Sequence, residues 1–158
     1  MPTPKKQIQN FNKELDKLLE KVTDRKSMIQ YAKLAIGAIH DRTRSKGQGL
    51  KANGGTPRKF KKVTEKYAKR RKKMKNKHPE AATGRDSNLT LTGRMLDTMK
   101  VIRSRNKEAE IGWSIKKERD KAAGNEERGR PFLALSTKEI KLISKLLDKK
   151  LSREAKKV

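Results

Sequence analysis

The residues best able to do chemistry in this chain are the cations of one short stretch. Residues 42–78 contain 16 basic residues but only 1 acidic residue, Glu65, so little of this charge can be paired internally. A solvated charged face is the ordinary interpretation, but so one-sided a block favours a polyanion, bound through its phosphates and without sequence specificity. Phe60 and Tyr67 are too few aromatics for a single-strand stacking platform. The predicted contact residues are Arg58, Lys59, Lys61, Lys62, Lys66, Lys69, Arg70, Arg71, Lys72, Lys73, Lys75 and Lys77.

Catalytic and metal-binding chemistry have little support. The two histidines, His40 and His78, lie in different segments, and neither has an acidic pair at ligand spacing. The chain contains no cysteine, which excludes disulfides and thiolate metal sites. Gly47-Gln48-Gly49 mimics part of a dinucleotide fingerprint, but it follows a predicted helix instead of a strand. We therefore expect a protein that is not an enzyme and has no cofactor or metal.

Composition and charge set the class of protein. The 158 residues suit a single domain, spanning 1–158. Hydrophobic residues make up 32% and charged residues 39%, against about 45–50% and about 25% in typical domains, so we expect a modest core and further burial between subunits. The net charge of +26 favours nucleic acid as a partner. Without an apolar run of membrane length or a secretion signal, we expect a soluble protein made in a cytoplasm.

The first half of the chain predicts helices around a basic insertion. One helix begins after Pro4, and a second, capped by Thr23 or Asp24, carries small apolar residues inward, so residues 5–43 are expected to form a helical hairpin. Glycines and a proline predict an irregular connection over 44–58. A basic helix follows from about Lys62 to Lys75, and then a polar, mobile run to Asn88. Residues 44–88 are thus a basic, partly flexible insertion.

The second half predicts an α+β core over residues 89–158. Thr92 caps a short helix that reaches Met99, and alternating residues predict antiparallel strands over 100–104 and 109–115. Ser136 and Glu139 form a capping box for the last helix. Its predicted buried face consists of Ile140, Ile143, Leu146, Leu147 and Leu151. The fold class is therefore α+β: an N-terminal helical hairpin, a basic helix, and a small antiparallel β-sheet packed against a C-terminal amphipathic helix.

Two short sequence motifs are not explained by this composition. Leu91-Thr92-Gly93-Arg94-Met95-Leu96 opens the short helix, and Gly129-Arg130-Pro131-Phe132-Leu133 precedes the last one. Pro131 favours an extended Arg130, and Phe132 and Leu133 would enter the core. By themselves these residues describe a loop-to-helix junction.

Together with the segments between them, these phrases resemble the neck or tail-completion proteins of tailed phages, which include the phage virion morphogenesis proteins and HK97-type neck proteins. The ordered set continues with Ala109-Glu110-Ile111-Gly112 and with a short loop, Ala122-Ala123-Gly124-Asn125-Glu126. It covers about residues 88–150, with weaker support from Arg42-Thr43 and from 60–72. The chain departs from the pattern at 126–129, where relatives carry aromatic or histidine residues. The family-motif positions are Thr92, Gly93, Arg94, Gly112, Gly129, Arg130, Pro131 and Phe132.

The resemblance implies a structural virion protein that forms a homo-oligomeric ring in the neck, with six copies favoured and twelve as the alternative. Its implied partners are a portal-side connector or head-closure protein, a tail terminator or tail-tube protein, and the genomic DNA that passes through the ring. The basic residues of 42–78 would contact DNA phosphates or acidic surfaces of neighbouring rings. The alternative hypothesis, which rests on net charge alone, is a sequence-nonspecific nucleic-acid-binding protein of ribosomal or nucleoid type.

Overall fold

The computed structural model describes residues 4–50, 55–77, 79, 84–89 and 93–157. This part of the chain contains six α-helices and two antiparallel two-stranded sheets, which confirms the expected α+β class. In chain order the elements are α1 (Pro4–Val22), α2 (Arg25–His40), β1 (Gln48–Gly49), β2 (Arg58–Lys59), α3 (Glu65–Met74), α4 (Arg94–Asp97), β3 (Lys100–Arg105), β4 (Glu108–Gly112), α5 (Lys116–Glu127) and α6 (Thr137–Ala155).

The start of α2 follows directly from its capping residue. Asp24 has extended backbone angles, and its carboxylate accepts a hydrogen bond from the Ser27 amide at 2.9 Å. This satisfies one of the amides that a helix start leaves without a partner. Of the two predicted caps, Asp24 is therefore the one used. Thr23 instead ends α1, where its hydroxyl donates to the carbonyl oxygen of Leu19 at 2.7 Å.

One turn of π-helix, Asp41–Ser45, extends α2 beyond the predicted end of the helical region. The turn buries Arg42 and Thr43. The Thr43 hydroxyl donates to the carbonyl oxygen of Ile39 at 2.6 Å, so this buried polar group has a partner within the helix.

Strands β3 and β4 form a hairpin that packs on α2. Its turn is fastened to the α1–α2 link, because the amide of Lys107 donates to the carbonyl oxygen of Thr23 at 2.8 Å. Helix α6 packs on α1 and on α2, so α2 lies in contact with both the hairpin and the last helix. Helix α2 thus supplies most of the packing surface for the hairpin, and α1 packs mainly against α6.

The core gathers side chains from both halves of the chain. Phe132 and Leu96 are fully buried, and Trp113 packs edge-to-face on Phe132 with ring centroids 6.2 Å apart. The indole nitrogen of Trp113 donates to the carbonyl oxygen of Met95 at 2.6 Å. Burial of each large side chain stabilises the fold by about 1.5–3 kcal/mol. The complete cluster is Ile39, Phe60, Met95, Leu96, Met99, Trp113, Ala122 and Phe132.

The connection after α2 is more regular than the predicted loop. Strands β1 and β2 pair Gln48 with Lys59 and Gly49 with Arg58. The pair is anchored to the last part of the chain, since the amide of Leu50 donates to the carbonyl oxygen of Pro131 at 2.8 Å. A side chain at Gly49 would overlap that same carbonyl and the ring of Phe60. Only glycine lets the two backbones approach this closely.

Other predictions were wrong in detail. The second strand ends at Gly112, and Ile115 is exposed at the start of α5. The segment expected to be a short loop, 122–126, lies within α5. The capping box of α6 is confirmed, but no residue of α6 is buried in the single chain, so its apolar face is not covered as predicted. Leu133 is exposed as well, and only Phe132 of that pair enters the core.

Candidate nucleic-acid interface

Helix α3 presents a dense cationic surface. Thr64 caps it and accepts a hydrogen bond from the Tyr67 amide at 3.4 Å, so the helix begins three residues later than predicted. Lys69 pairs with Glu65 at 3.3 Å, but both side chains are exposed and such a pair is worth little. We name the following exposed residues the α3 cationic surface: Arg58, Lys59, Lys61, Lys62, Lys66, Lys69, Arg70, Lys72, Lys73, Lys75 and Lys77.

Arg71 is the exception among the predicted contact residues. Its side chain is buried, with 4% of the residue exposed, and one terminal nitrogen donates to the carbonyl oxygens of Gly84 and Asp86 at 2.8 and 2.6 Å. Its guanidinium lies 5.6 Å from the centre of the Tyr67 ring. Arg71 occupies the inward face of α3, so it does not share the exposure of the other predicted contact residues. Burial lowers its pKa below the ordinary value of an arginine.

The segment that follows α3 was predicted to be mobile, but its described end is packed. The amide of Val63 donates to the carbonyl oxygen of Arg85 at 2.9 Å, and the Arg85 Nε donates back to the Val63 carbonyl at 3.1 Å. Ser87 and Asn88 are buried. Of the rest of that run, residues 78 and 80–83 lie outside the described residues. The described end, 84–88, therefore packs beside α3, with Ser87 and Asn88 buried and residues 84–86 exposed.

A cleft of about 530 Å³ lies between α3 and α5. Tyr67 and Arg71 line it from α3, and Lys121 and Asn125 line it from α5. Two arginines, at 128 and 130, complete the lining where the chain leaves α5. We call this space the α3–α5 cleft. It adds concave positive surface beside the convex α3 cationic surface.

The phrase at 129–136, which we call the junction, is held by its backbone. Gly129 leaves α5 with a left-handed φ of 71°, and its amide donates to the Glu126 carbonyl at 3.0 Å. The carboxylate of Glu126 accepts from the amides of Phe132 and Leu133 at 2.8 and 3.3 Å. Glu126 thus has a structural role at the position where the chain departs from the phage-neck pattern.

Arg42 holds the junction from the other side. Its guanidinium bonds the Glu139 carboxylate at 2.5 Å and the carbonyl oxygens of Phe132 and Ala134 at 2.5 and 2.8 Å. Glu139 also accepts from the Ser136 amide at 2.6 Å, completing the predicted capping box. Burial lowers the pKa of Arg42, and the Glu139 charge opposes that effect. Arg42 and Glu139 therefore fasten the junction to the end of α2 and to the start of α6.

The other family-motif residues are also structural where they are described. Gly93 precedes α4 with a φ of 72°, a conformation that glycine adopts without strain. Arg94 is exposed, with its Nε 3.7 Å from the buried Glu118. Gly112 lies under the side chain of Ile102, which a Cβ would strike. Thr92, the predicted cap, lies outside the described residues.

The role of Arg42 was missed by the sequence reasoning, which used it only as weak support for the resemblance. A signal existed, since Arg42 follows the buried Ile39 by three residues and so shares its helical face. An arginine on an apolar helix face indicates a buried cation that needs an anionic partner. Nothing in the spacing pointed to Glu139 as that partner.

Two helices leave apolar side chains uncovered in the single chain. Leu15 and Leu19 of α1 are exposed. So are Ile140, Leu142 and Leu146 of α6, and Leu142 keeps 56% of its surface accessible. Because α1 and α6 pack on one another, these exposed side chains lie on one pair of helices, although Ile140 and Leu142, two residues apart, project from different sides of α6. We call this set of exposed side chains the α1–α6 face.

Histidine chemistry remains weakly supported. His40 is only partly exposed, its Nε2 has no hydrogen-bond partner among the described residues, and burial lowers its pKa. In the described part of the chain, no group of three histidine or acidic side chains could hold a metal ion. The described helices also include none with the length and apolarity to cross a membrane.

Comparisons of the chain with protein-family models, with curated proteins and with solved structures find no match. The arrangement of residues described above therefore carries the functional argument.

Proposed function

We propose that this chain is a structural virion protein of a tailed phage, which forms a ring in the neck and joins the tail to the head connector. The observation that carries the proposal is the α1–α6 face. A chain with 39% charged residues nevertheless exposes leucine and isoleucine side chains on two adjacent helices. Exposed apolar surface of this kind marks an interaction site. A subunit of an assembly leaves such apolar side chains exposed until neighbouring subunits cover them.

Two further features agree with that function. The ordered motifs that resemble phage neck proteins place Phe132 and Gly112 at positions where the fold needs those residue types. The α3 cationic surface supplies the charge that a ring around a genome would present to phosphate backbones. In this proposal the neighbours are a portal-side connector or head-closure protein and a tail terminator or tail-tube protein.

Assembly of the purified protein tests the proposal. Light scattering after size exclusion and negative-stain images should show closed rings, because repeated head-to-tail contacts close by rotation. The double variant Ile140→Gln/Leu142→Gln should lose the rings. Its stability should change by no more than about 0.5 kcal/mol, since both side chains are exposed in the single chain.

Lys141→Gln/Lys145→Gln is the matched control, because it changes two exposed residues of the same helix without touching apolar surface. It should leave the rings intact. A wild-type chain that stays monomeric at all concentrations and does not enter virions would contradict the proposal.

A second function, sequence-nonspecific nucleic-acid binding of ribosomal or nucleoid type, is favoured by one observation. In the α3 cationic surface only Lys69 forms an ion pair among the described residues, so its charge is available to phosphates. This function requires that a monomer bind DNA or RNA at moderate salt, with affinity falling steeply as salt rises.

The quadruple variant Lys66→Gln/Lys69→Gln/Lys72→Gln/Lys73→Gln separates the two functions. A nucleic-acid-binding protein would lose most of its affinity and part of its salt dependence in this variant. If the variant no longer docks to neck partners but binds DNA unchanged, the second function fails.

A further inference from the structure

The α3–α5 cleft carries more positive charge than its own residues neutralise. The cationic residues that line it are Arg71, Lys121, Arg128 and Arg130, and none of its described lining residues is an aspartate or glutamate. Lys121 is paired outside the cleft lining, with both carboxylate oxygens of Glu118 at 2.9 Å. Burial is the main cause that lowers the pKa of Arg71, and the charge of Arg130, which lines the same cleft, acts in the same direction as a smaller cause, so the two guanidiniums repel one another. An anion in the cleft would relieve this repulsion.

Arg130 has nitrogens to spare for such an anion. The Nε of Arg71 also has no hydrogen-bond partner among the described residues, but it is buried, so Arg71 contributes charge to the cleft and not a direct contact through this atom. Arg130 uses its Nε on the Lys61 carbonyl at 3.3 Å, and no described residue bonds its terminal nitrogens. A guanidinium offers two parallel donors that match the oxygens of a phosphate, which lysine cannot do.

The size and lining of the cleft indicate more than a bare phosphate. Its volume of about 530 Å³ lies within the range of small-molecule sites, about 300–1,000 Å³. Val63, Leu89 and Met95 add apolar lining to the cationic one. A ligand that carries both an anionic and a flat apolar group matches this combination.

We propose that the α3–α5 cleft binds one nucleotide unit, free or within a strand, with its phosphate at Arg128 and Arg130 and its base against the apolar lining. This site is distinct from the convex α3 cationic surface, and it does not depend on ring assembly. It gives the protein one defined nucleotide contact in addition to diffuse attraction to phosphate.

The test is a titration of the full chain, followed through its arginine and backbone amide NMR signals at constant ionic strength. Thymidine 5′-monophosphate should bind more tightly than inorganic phosphate, and acetate should bind more weakly than either. Equal binding of the monophosphate and inorganic phosphate would overturn the nucleotide assignment. Preference for acetate would indicate a carboxylate of a protein partner and would also overturn it.

Charge-matched variants locate the site. Arg128→Gln/Arg130→Gln should weaken monophosphate binding by at least about tenfold, since charge-assisted hydrogen bonds are lost. Lys72→Gln/Lys73→Gln removes the same charge from the exposed side of α3 and should change the affinity less than about twofold. Equal weakening by both pairs would mean diffuse attraction and would refute the site.

A folding control and a ligand control complete the design. Arg128 is exposed, so Arg128→Gln alone should keep the wild-type spectrum and still weaken binding. A trithymidylate that binds more tightly, with the same dependence on Arg128, identifies a strand as the source. Equal affinity for the monophosphate identifies the free nucleotide. Ring formation is measured separately, so loss of this site and failure of the neck function remain distinguishable.

Discussion

Two arginines are buried in the described part of the molecule, and their surroundings differ in one respect. Arg42, 2% exposed, meets the Glu139 carboxylate and two carbonyl oxygens. Arg71, 4% exposed, meets two carbonyl oxygens and the Tyr67 ring but forms no ion pair among the described residues. The fold neutralises the charge of Arg42 with a carboxylate, whereas it surrounds the charge of Arg71 only with neutral hydrogen-bond acceptors and an aromatic ring. Arg42 therefore joins parts of the structure, whereas Arg71 adds positive charge behind the α3–α5 cleft.

The strongest test of this contrast is Arg42→Met. The substitution leaves Glu139 partly buried without its cation and removes the partner of two carbonyl oxygens. We expect the free energy of unfolding to fall by about 3–5 kcal/mol, as for other broken buried pairs. Urea unfolding followed by circular dichroism measures it. Glu139→Gln, which can keep the capping box, should cost less. A loss below about 1 kcal/mol for Arg42→Met would contradict the structural role of Arg42.

Gly49→Ala tests the other contact to the junction. The new methyl group would overlap the Pro131 carbonyl oxygen and the Phe60 ring, so the two backbones must separate. We expect a loss of about 2–3 kcal/mol, measured as above. Gly37→Ala is the control: it lies in α2 with open space around it, and should stabilise the protein by about 0.5–1 kcal/mol. Equal effects at the two glycines would show that close approach at Gly49 is unimportant.

Arg71→Met gives the second half of the comparison directly. It removes hydrogen bonds to the carbonyl oxygens of Gly84 and Asp86, but it leaves no described carboxylate without its cation. The expected loss is about 1–2 kcal/mol, clearly smaller than for Arg42→Met. If the two methionine variants were equally unstable, the presence of Glu139 would not explain the difference between these sites.

The smallest expected effect is a pH dependence at His40, two residues before Arg42. Burial, aided by the charge of Arg44, lowers its pKa below the ordinary value of 6.5, while a backbone hydrogen bond to Leu96 and the charge of Asp97 act in the opposite direction. The unfolded state then binds more protons than the folded state, so stability falls as the pH drops below about 6.5.

Thermal unfolding between about pH 7.5 and about pH 5 measures this change. His40→Gln should flatten the dependence in that range, because Arg42 stays charged throughout and the lowered pKa of Asp24 acts only at lower pH. An unaltered pH profile in His40→Gln would assign the dependence to another group.

Local signals in the sequence predicted the structure well. The cap Ser136 and the burial of Phe132 follow from short-range chemistry and are confirmed, and Asp24 is the one of the two predicted caps of α2 that the structure uses. Helix α5 was missed because its apolar residues show little helical periodicity and Gly124 suggested a turn. Contacts between distant residues, such as Arg42 with Glu139, have no local signature.

The candidate site was predictable only in part. The charge of the sequence located the α3 cationic surface, but it could not show that Arg71 points inward. Which side of a helix is buried depends on the elements that the helix packs against. Helical periodicity identified the apolar residues of α6, including Ile140, but it does not reveal whether the same chain or another covers them. The neck function and its partners stay predictions.

The large sequence separation of the Arg42 contacts also affects how the protein folds. Its bonds to Phe132, Ala134 and Glu139 span 90, 92 and 97 residues. Contacts of such sequence separation form late and slow folding, because a long loop must close before they stabilise anything. Until residues 132–139 have been synthesised, Arg42 lacks all of these partners. We therefore expect stable native structure only once this segment is available, so that truncation before residue 132 leaves the chain unfolded.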